Sequence, residues 1–298
     1  MFLLFYTMPR RTAQVLESTY LMNTAEIFRE SIRIILLHST HFHSISIFFF
    51  SPLPISLFLS HFLNHHFLHI PSLTISITDN LFGHLLPNLV SKTVVHIVIC
   101  FPSSITFSLL GRAATVQAVS DGYNGINLDG RRLLMRSGLA WIKLLHTRFW
   151  ELLITLGLFG VLVVGLAAAP KILYALGICS TALGFWGVLG FLGIPFCVIF
   201  AHLMVVGNMA NVISVLESEC YGLDSLWKAK NLMEGRRQTA LVMALLSNMG
   251  FRLVECLFEL RMCMGICMWE IPVLISMYSL ALVFETVMNV VFYYACKS

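Results

Sequence analysis

The sequence predicts an all-α fold: a polytopic membrane helix bundle of six spans, arranged as three repeats of an interfacial helix followed by a transmembrane hairpin. Three observations carry this expectation: an apolar composition, six apolar stretches of membrane-spanning length, and basic residues gathered in every second connection. Of 298 residues, 58% are hydrophobic and only 11% are charged, and the mean hydropathy is +0.84. A soluble domain carries roughly a quarter charged residues. A water-soluble core of this length could not hide so much apolar surface, so the bilayer is the expected solvent.

Met1 to Tyr6 is apolar but shorter than a signal-peptide core, and Arg10 and Arg11 follow it rather than precede it. The first span is therefore expected to act as the targeting anchor. Residues 1–44 read as a cytoplasmic N-terminal segment with an amphipathic helix, and residues 45–298 as a single transmembrane domain. Crossing about 30 Å of hydrocarbon takes about 20 helical residues. Such stretches lie near 45–63, 89–110, 150–169, 185–209, 238–258 and 271–294. Pro52 and Pro54 interrupt the first, which predicts a kinked crossing whose freed carbonyls are met by neighbouring helices.

The connections alternate in charge. Arg10, Arg11, Arg29 and Arg33 precede the first span, and Arg112, Arg131, Arg132, Arg136, Lys143 and Arg148 lie between the second and third. Lys228, Lys230, Arg236 and Arg237 lie between the fourth and fifth, and Lys297 follows the sixth. The opposite connections hold only Lys171 and Arg261. By the positive-inside rule both termini are expected in the cytoplasm.

Each basic connection repeats one order of parts. Gly111-Arg112-Ala113-Ala114-Thr115-Val116 precedes Tyr123-Asn124-Gly125, and Gly207-Asn208-Met209-Ala210-Asn211-Val212 precedes Tyr221-Gly222. Leu36-Leu37-His38-Ser39 is echoed by Leu144-Leu145-His146-Thr147. These echoes underlie the three parallel repeats. In the second, Arg131, Arg132, Arg136 and Lys143 are interspersed with Leu133, Leu134, Trp141 and Ile142, which suits an interfacial helix on anionic lipid. The plainer alternative is a positive-inside signal leading into a span.

Polar groups within spans are the candidate sites. Asn248, Arg252 and Glu255 fall in the fifth span, and Glu285 and Asn289 in the sixth. Arg252 and Glu255 form an i, i+3 pair that can neutralise itself, with Arg252 snorkelling to the interface. Glu285 is either a structural group capped by a neighbour or part of a proton or cation relay that needs a cavity. His61, His65 and His69 recur at i, i+4 and i+8, a weak metal-site pattern set against a span end that tolerates histidine. Glycines 184, 187, 190 and 193 predict close packing against more than one helix. Eight cysteines lack paired CxxC spacing, and no hydrolase triad, HExxH or phosphate-binding glycine loop occurs. Enzymatic activity and a cofactor are therefore not expected. No polar stretch is long enough to fold into a separate nucleic-acid-binding domain.

The run Val215-Leu216-Glu217-Ser218-Glu219-Cys220-Tyr221-Gly222-Leu223-Asp224-Ser225-Leu226-Trp227-Lys228, continued by Ala229-Lys230-Asn231-Leu232-Met233-Glu234-Gly235-Arg236-Arg237, resembles a family of plant multi-pass membrane proteins of uncharacterised function. Some members are labelled as binding a polyadenylate-binding protein. More distantly the run is similar to the membrane domain of bacterial glycerophosphodiester phosphodiesterases, whose catalytic domain this chain lacks. The resemblance implies no catalytic residue here. The expected function is a non-enzymatic scaffold or accessory factor of the endomembrane system or plasma membrane, contacting membrane lipids and meeting protein partners through its cytoplasmic loops. The alternative is a transporter or lipid-handling protein.

Overall fold

The computed structural model describes residues 24–67, 98, 101–102, 104–125, 130–175, 182–217, 219–264, 267 and 269–297. Among them the chain is all-helical, as its composition predicts. The α-helices are α1 (Thr24–Leu37), α2 (Ser39–Ile45), α3 (Pro52–Phe67), α4 (Leu109–Tyr123), α5 (Gly130–Ala175), α6 (Ala182–Leu216), α7 (Leu223–Leu232), α8 (Arg237–Met264) and α9 (Glu270–Lys297). Two π-helical turns, Ser46–Phe50 and Ser104–Ser108, lead into α3 and α4.

Four helical segments are long and apolar enough to cross a membrane: Gly130–Ala168, Leu192–Leu216, Arg237–Met262 and Glu270–Lys297. They coincide with the four later stretches marked by hydropathy. Ser39–Phe50 and Pro52–Ser60 make a fifth if the pair, bent by 42°, is one span. The break sits at the expected proline: Ser51 N–H reaches back to the Ser46 carbonyl, 3.1 Å away, closing a π turn immediately before Pro52. Most of the stretch 89–110 lies outside the described residues. One expectation needs revision: the basic stretch 131–145 is not a separate interfacial helix, because α5 runs unbroken for 46 residues. Between Arg131 and Ala169 only glycines weaken the helix, and no proline interrupts the backbone hydrogen bonds.

The helices form two compact units. Unit 1 comprises Met1–Ile27, Leu139–Leu245 and Asn289–Ser298; unit 2 comprises Phe28–Gly138 and Leu246–Met288.

In unit 2, Phe50 is fully buried and α4 approaches it through a glycine: a Cβ on Gly111 would stand 3.0 Å from the Phe50 ring. Phe58 stacks on Phe258 at 4.1 Å and meets Tyr278 edge-on at 6.3 Å, joining α3 to α8 and α9. Phe28 meets Phe284 edge-on at 5.0 Å, joining α1 to α9. At the other end of α4, Gly122 faces His38. In lipid no hydrophobic force draws helices together, so shape-matched contacts of this kind and polar bonds must do so.

Unit 1 is organised around Thr147. Its hydroxyl donates to the Lys143 carbonyl at 3.0 Å and accepts the Gly222 N–H at 3.0 Å, fastening the turn before α7 to α5. Gly222 has φ +68, and an added Cβ would collide with the His146 ring. The Leu-Leu-His corner of unit 2 is looser: His38 stands at ordinary contact distance, 3.6 Å, from the Cβ position of Gly122, a helical residue of α4. By contrast, a Cβ on Gly190 or Gly193 meets nothing within 4 Å among the described residues.

Gly222→Ala is expected to lower the melting temperature of the purified protein through both backbone strain, worth about 1–3 kcal/mol, and the clash with His146. Gly235, at φ +93 with open space around it, supplies the control. Gly235→Ala should lower the melting temperature less than Gly222→Ala.

Candidate functional site

The chemistry within the described residues lies in acids that have been withdrawn from water. Glu285 of α9 is 8% exposed and accepts a hydrogen bond from Arg112 Nη2 of α4 at 2.9 Å. The Arg112 side chain is itself largely buried, at 14%. Its neighbours along α4, Gly111, Ala113 and Ala114, are small and buried. Also in unit 2, Asp121 at the end of α4 takes both oxygens to Arg136 Nη1, at 3.0 and 3.2 Å.

Unit 1 treats its acids the same way. Glu151, 6% exposed, accepts from Arg148 Nη1 at 3.0 and 2.9 Å, one turn away on α5. Its carboxylate occupies the space a Cβ would take on Gly207 of α6, so this glycine makes room for the charge. Glu217, just past α6, accepts from Lys228 of α7 and, at 3.0 Å, from Tyr293 Oη of α9. Lys297 donates to the same Tyr293 oxygen at 3.0 Å, and Arg236 Nη1 donates to the Ala295 carbonyl at 2.8 Å. The last turn of α9, whose carbonyls lack helical partners, is thereby capped by an arginine.

These bonds set the protonation of the groups outside the spans. Burial pulls the Glu217 carboxyl up, but hydrogen bonds from Lys228, Tyr293 and Cys220 outweigh it and hold the group below its ordinary value. The hydrogen bond to Glu217 pushes Lys228 up, against a smaller desolvation effect.

Among the sequence candidates, Arg252 and Glu255 do pair, at 2.9 Å, and Tyr278 Oη stands 3.5 Å from the second Glu255 oxygen. The Arg252 side chain is 84% exposed, placed to snorkel. Asn248 is exposed on the same helix. Glu285 shares unit 2 with these three residues, whereas Asn289 lies in unit 1. There Asn289 lines a cavity of about 10 Å³ with Asn208, Met209, Met233 and Met243. That is room for about one water molecule. Arg131 and Arg132 are exposed and Lys143 is half-buried on α5, while Arg136 is committed to Asp121. His69 and the side chains of His61 and His65 lie outside the described residues.

Arg112, Asp121, Glu151, Glu217 and Tyr293 were not singled out by the sequence. Arg112 counts there as a loop base. Glu217 stands inside the run that carries the family resemblance, the one signal that pointed at this network.

A domain family described as a domain of unknown function, DUF8558, matches residues 15–298. The chain belongs to this family. No curated protein matches the chain, and no solved structure does. The match spans both units, so the paired acids Asp121, Glu151, Glu217 and Glu285 all lie within the family domain.

Breaking a buried pair on one side strands the other charge, at a cost of about 3–5 kcal/mol. Arg112→Met and Glu285→Met are each expected to cut thermal stability strongly, and the double variant should recover much of the loss in a double-mutant cycle. For Glu217 the folded carboxyl lies below its ordinary value of 4.5, so its stabilising bonds are complete above that value and are lost as pH falls through the folded one. Lys228 lies above 10.5 when folded, so its contribution is complete below that value and is lost as pH rises through the folded one. Melting temperature measured against pH should show an acid-side fall that is smaller in Glu217→Gln.

Proposed function

We propose that this chain is a non-enzymatic scaffold or accessory factor embedded in a membrane, of the plant multi-pass type that its sequence resembles. It has six spans in three repeated hairpins, the second entered directly through the unbroken α5, in the endomembrane system or plasma membrane, with both termini in the cytoplasm. The observation that carries this reading is the burial and pairing of Glu285. A relay acid needs an open path, whereas this carboxylate is 8% exposed and its Oε2 is bound to a largely buried guanidinium. Asp121 and Glu151 are likewise bound to arginines inside their own units.

The meeting of His38 with Gly122 and of His146 with Gly222 supports the repeat, because each corner joins its Leu-Leu-His segment to the chain that follows an apolar stretch. Arg131 and Arg132 of α5 are exposed, which is where anionic headgroups would meet them, and the basic connections are the surfaces offered to protein partners. Direct contact with nucleic acid forms no part of this reading.

Two measurements test it together. Accessibility reporters at both termini should be cytoplasmic and one near residue 75 should not be, and proximity labelling from the cytoplasmic loops should return a reproducible protein set. A solute or lipid flux in proteoliposomes that Glu285→Gln abolishes, with the melting temperature retained, would replace the scaffold with a transporter.

A further inference from the structure

Asn289 of α9 is half-buried and makes no hydrogen bond to another described residue. Other polar side chains of unit 1 bond to their own helix, as Asn211 Nδ2 does to the Gly207 carbonyl at 2.7 Å and Ser214 Oγ to the Asn211 carbonyl at 2.9 Å. Asn289 instead lines the cavity of about 10 Å³, together with Asn208 of α6. Three methionines from three further places in the chain share that lining: Met209 of α6, Met233 just after α7 and Met243 of α8. They are 2%, 1% and 3% exposed. The whole lining belongs to unit 1.

The two amides lie at matching depth. Asn208 stands eight residues before the end of its span candidate at Leu216, and Asn289 eight before the end of its own at Lys297. At 1.5 Å per residue each is about 12 Å from that end. An amide so far inside a span has to find its partner within the bundle.

The walls decide what the partner is. A cavity lined wholly by apolar groups stays dry, whereas two amides offer a water both carbonyl acceptors and amino donors. A cation would meet no compensating charge, since no titratable side chain is found among the described residues that line the cavity. Thioethers hold soft metals, but a metal there would carry the same uncompensated charge. A neutral ligand of one heavy atom fits both the volume and the polarity. Holding one water in place costs less than leaving a buried amide unpaired.

We propose that this cavity binds one structural water, which bridges the side chains of Asn208 and Asn289 and so fastens α6 to α9 within the span region. The site does not depend on the scaffold reading.

Radiolytic footprinting of the full chain in lipid nanodiscs tests it. A bound water split by an X-ray pulse releases hydroxyl radical beside the side chains it touches, and methionine sulfur takes up oxygen readily. Mass spectrometry is expected to find Met209, Met233 and Met243 oxidised, while Met288, just as buried but outside the cavity, stays intact. Radicals generated in the bulk from hydrogen peroxide should leave all four intact. Asn289→Leu, close in size but without a hydrogen-bonding group, should slow oxidation of the three about tenfold, the scale of one lost hydrogen bond. Asn208→Leu should act alike, and the wild-type contrast with Met288 stands even if both variants misfold. The proposal is overturned if the three methionines react no faster than Met288, if bulk radicals label them equally, or if folded Asn variants keep the wild-type rate. Silver(I) bound by the full chain and lost in Met243→Leu would also overturn it, by showing a metal held by thioethers.

Discussion

A carboxylate taken out of water has to be met by a cation or by hydrogen-bond donors, and the helices of both units are arranged around that requirement. In a low-dielectric interior an unpaired charge costs several kcal/mol, at order-of-magnitude level, more than most single packing contacts return. Glu285, Asp121 and Glu151 are the acids that are buried among the described residues, and each is bound to an arginine. The Glu285 pair has the longest reach, joining α4 to α9 across 173 residues of sequence. It makes the position of α4 in unit 2 depend on charge as well as on shape. The Glu151 pair is local, yet it dictates a glycine on another helix, because its carboxylate fills the place of a Gly207 side chain.

The same constraint explains the buried hydroxyls. Ser60, Thr115, Ser214 and Thr286 are all within 3% of full burial. Each donates to a carbonyl three or four residues back on its own helix, at 2.7 to 2.9 Å. A hydroxyl satisfied in this way adds little polarity to the helix surface and keeps the side chain small. Thr147 does more: besides its own helix it serves the Gly222 N–H, and a turn that would otherwise present an unmet donor is tied to α5. The turn and α7 follow from that bond.

The buried acids Glu285, Asp121 and Glu151 are each held by an arginine, which fixes the helices around them. The outward-facing features are of another sort: Trp227 and Lys230 are exposed on the connection between two span candidates, and Arg252 is exposed within the second of them.

The helical class and the four later helices long and apolar enough to cross a membrane were legible in the sequence, because hydropathy over about 20 residues is a local property. So was the break at Pro52, since proline removes a donor wherever it stands. The Arg252 and Glu255 pair was legible for the same reason, one turn separating its members. The unbroken course of α5 was not, because amphipathic and apolar stretches differ in solvent and not in backbone, and nothing between them stops a helix. Nor were the partners of Glu285 and Glu217, because charge alternation along a chain tells which side a base lies on and not which acid it meets. Arg112 looks like any other base of its connection until α4 and α9 are set side by side. Sequence alone thus determined that this chain is built of membrane-type helices and roughly where they run. Tertiary structure decided which charges are buried and by what they are neutralised, since only packing brings together groups that lie far apart in the chain.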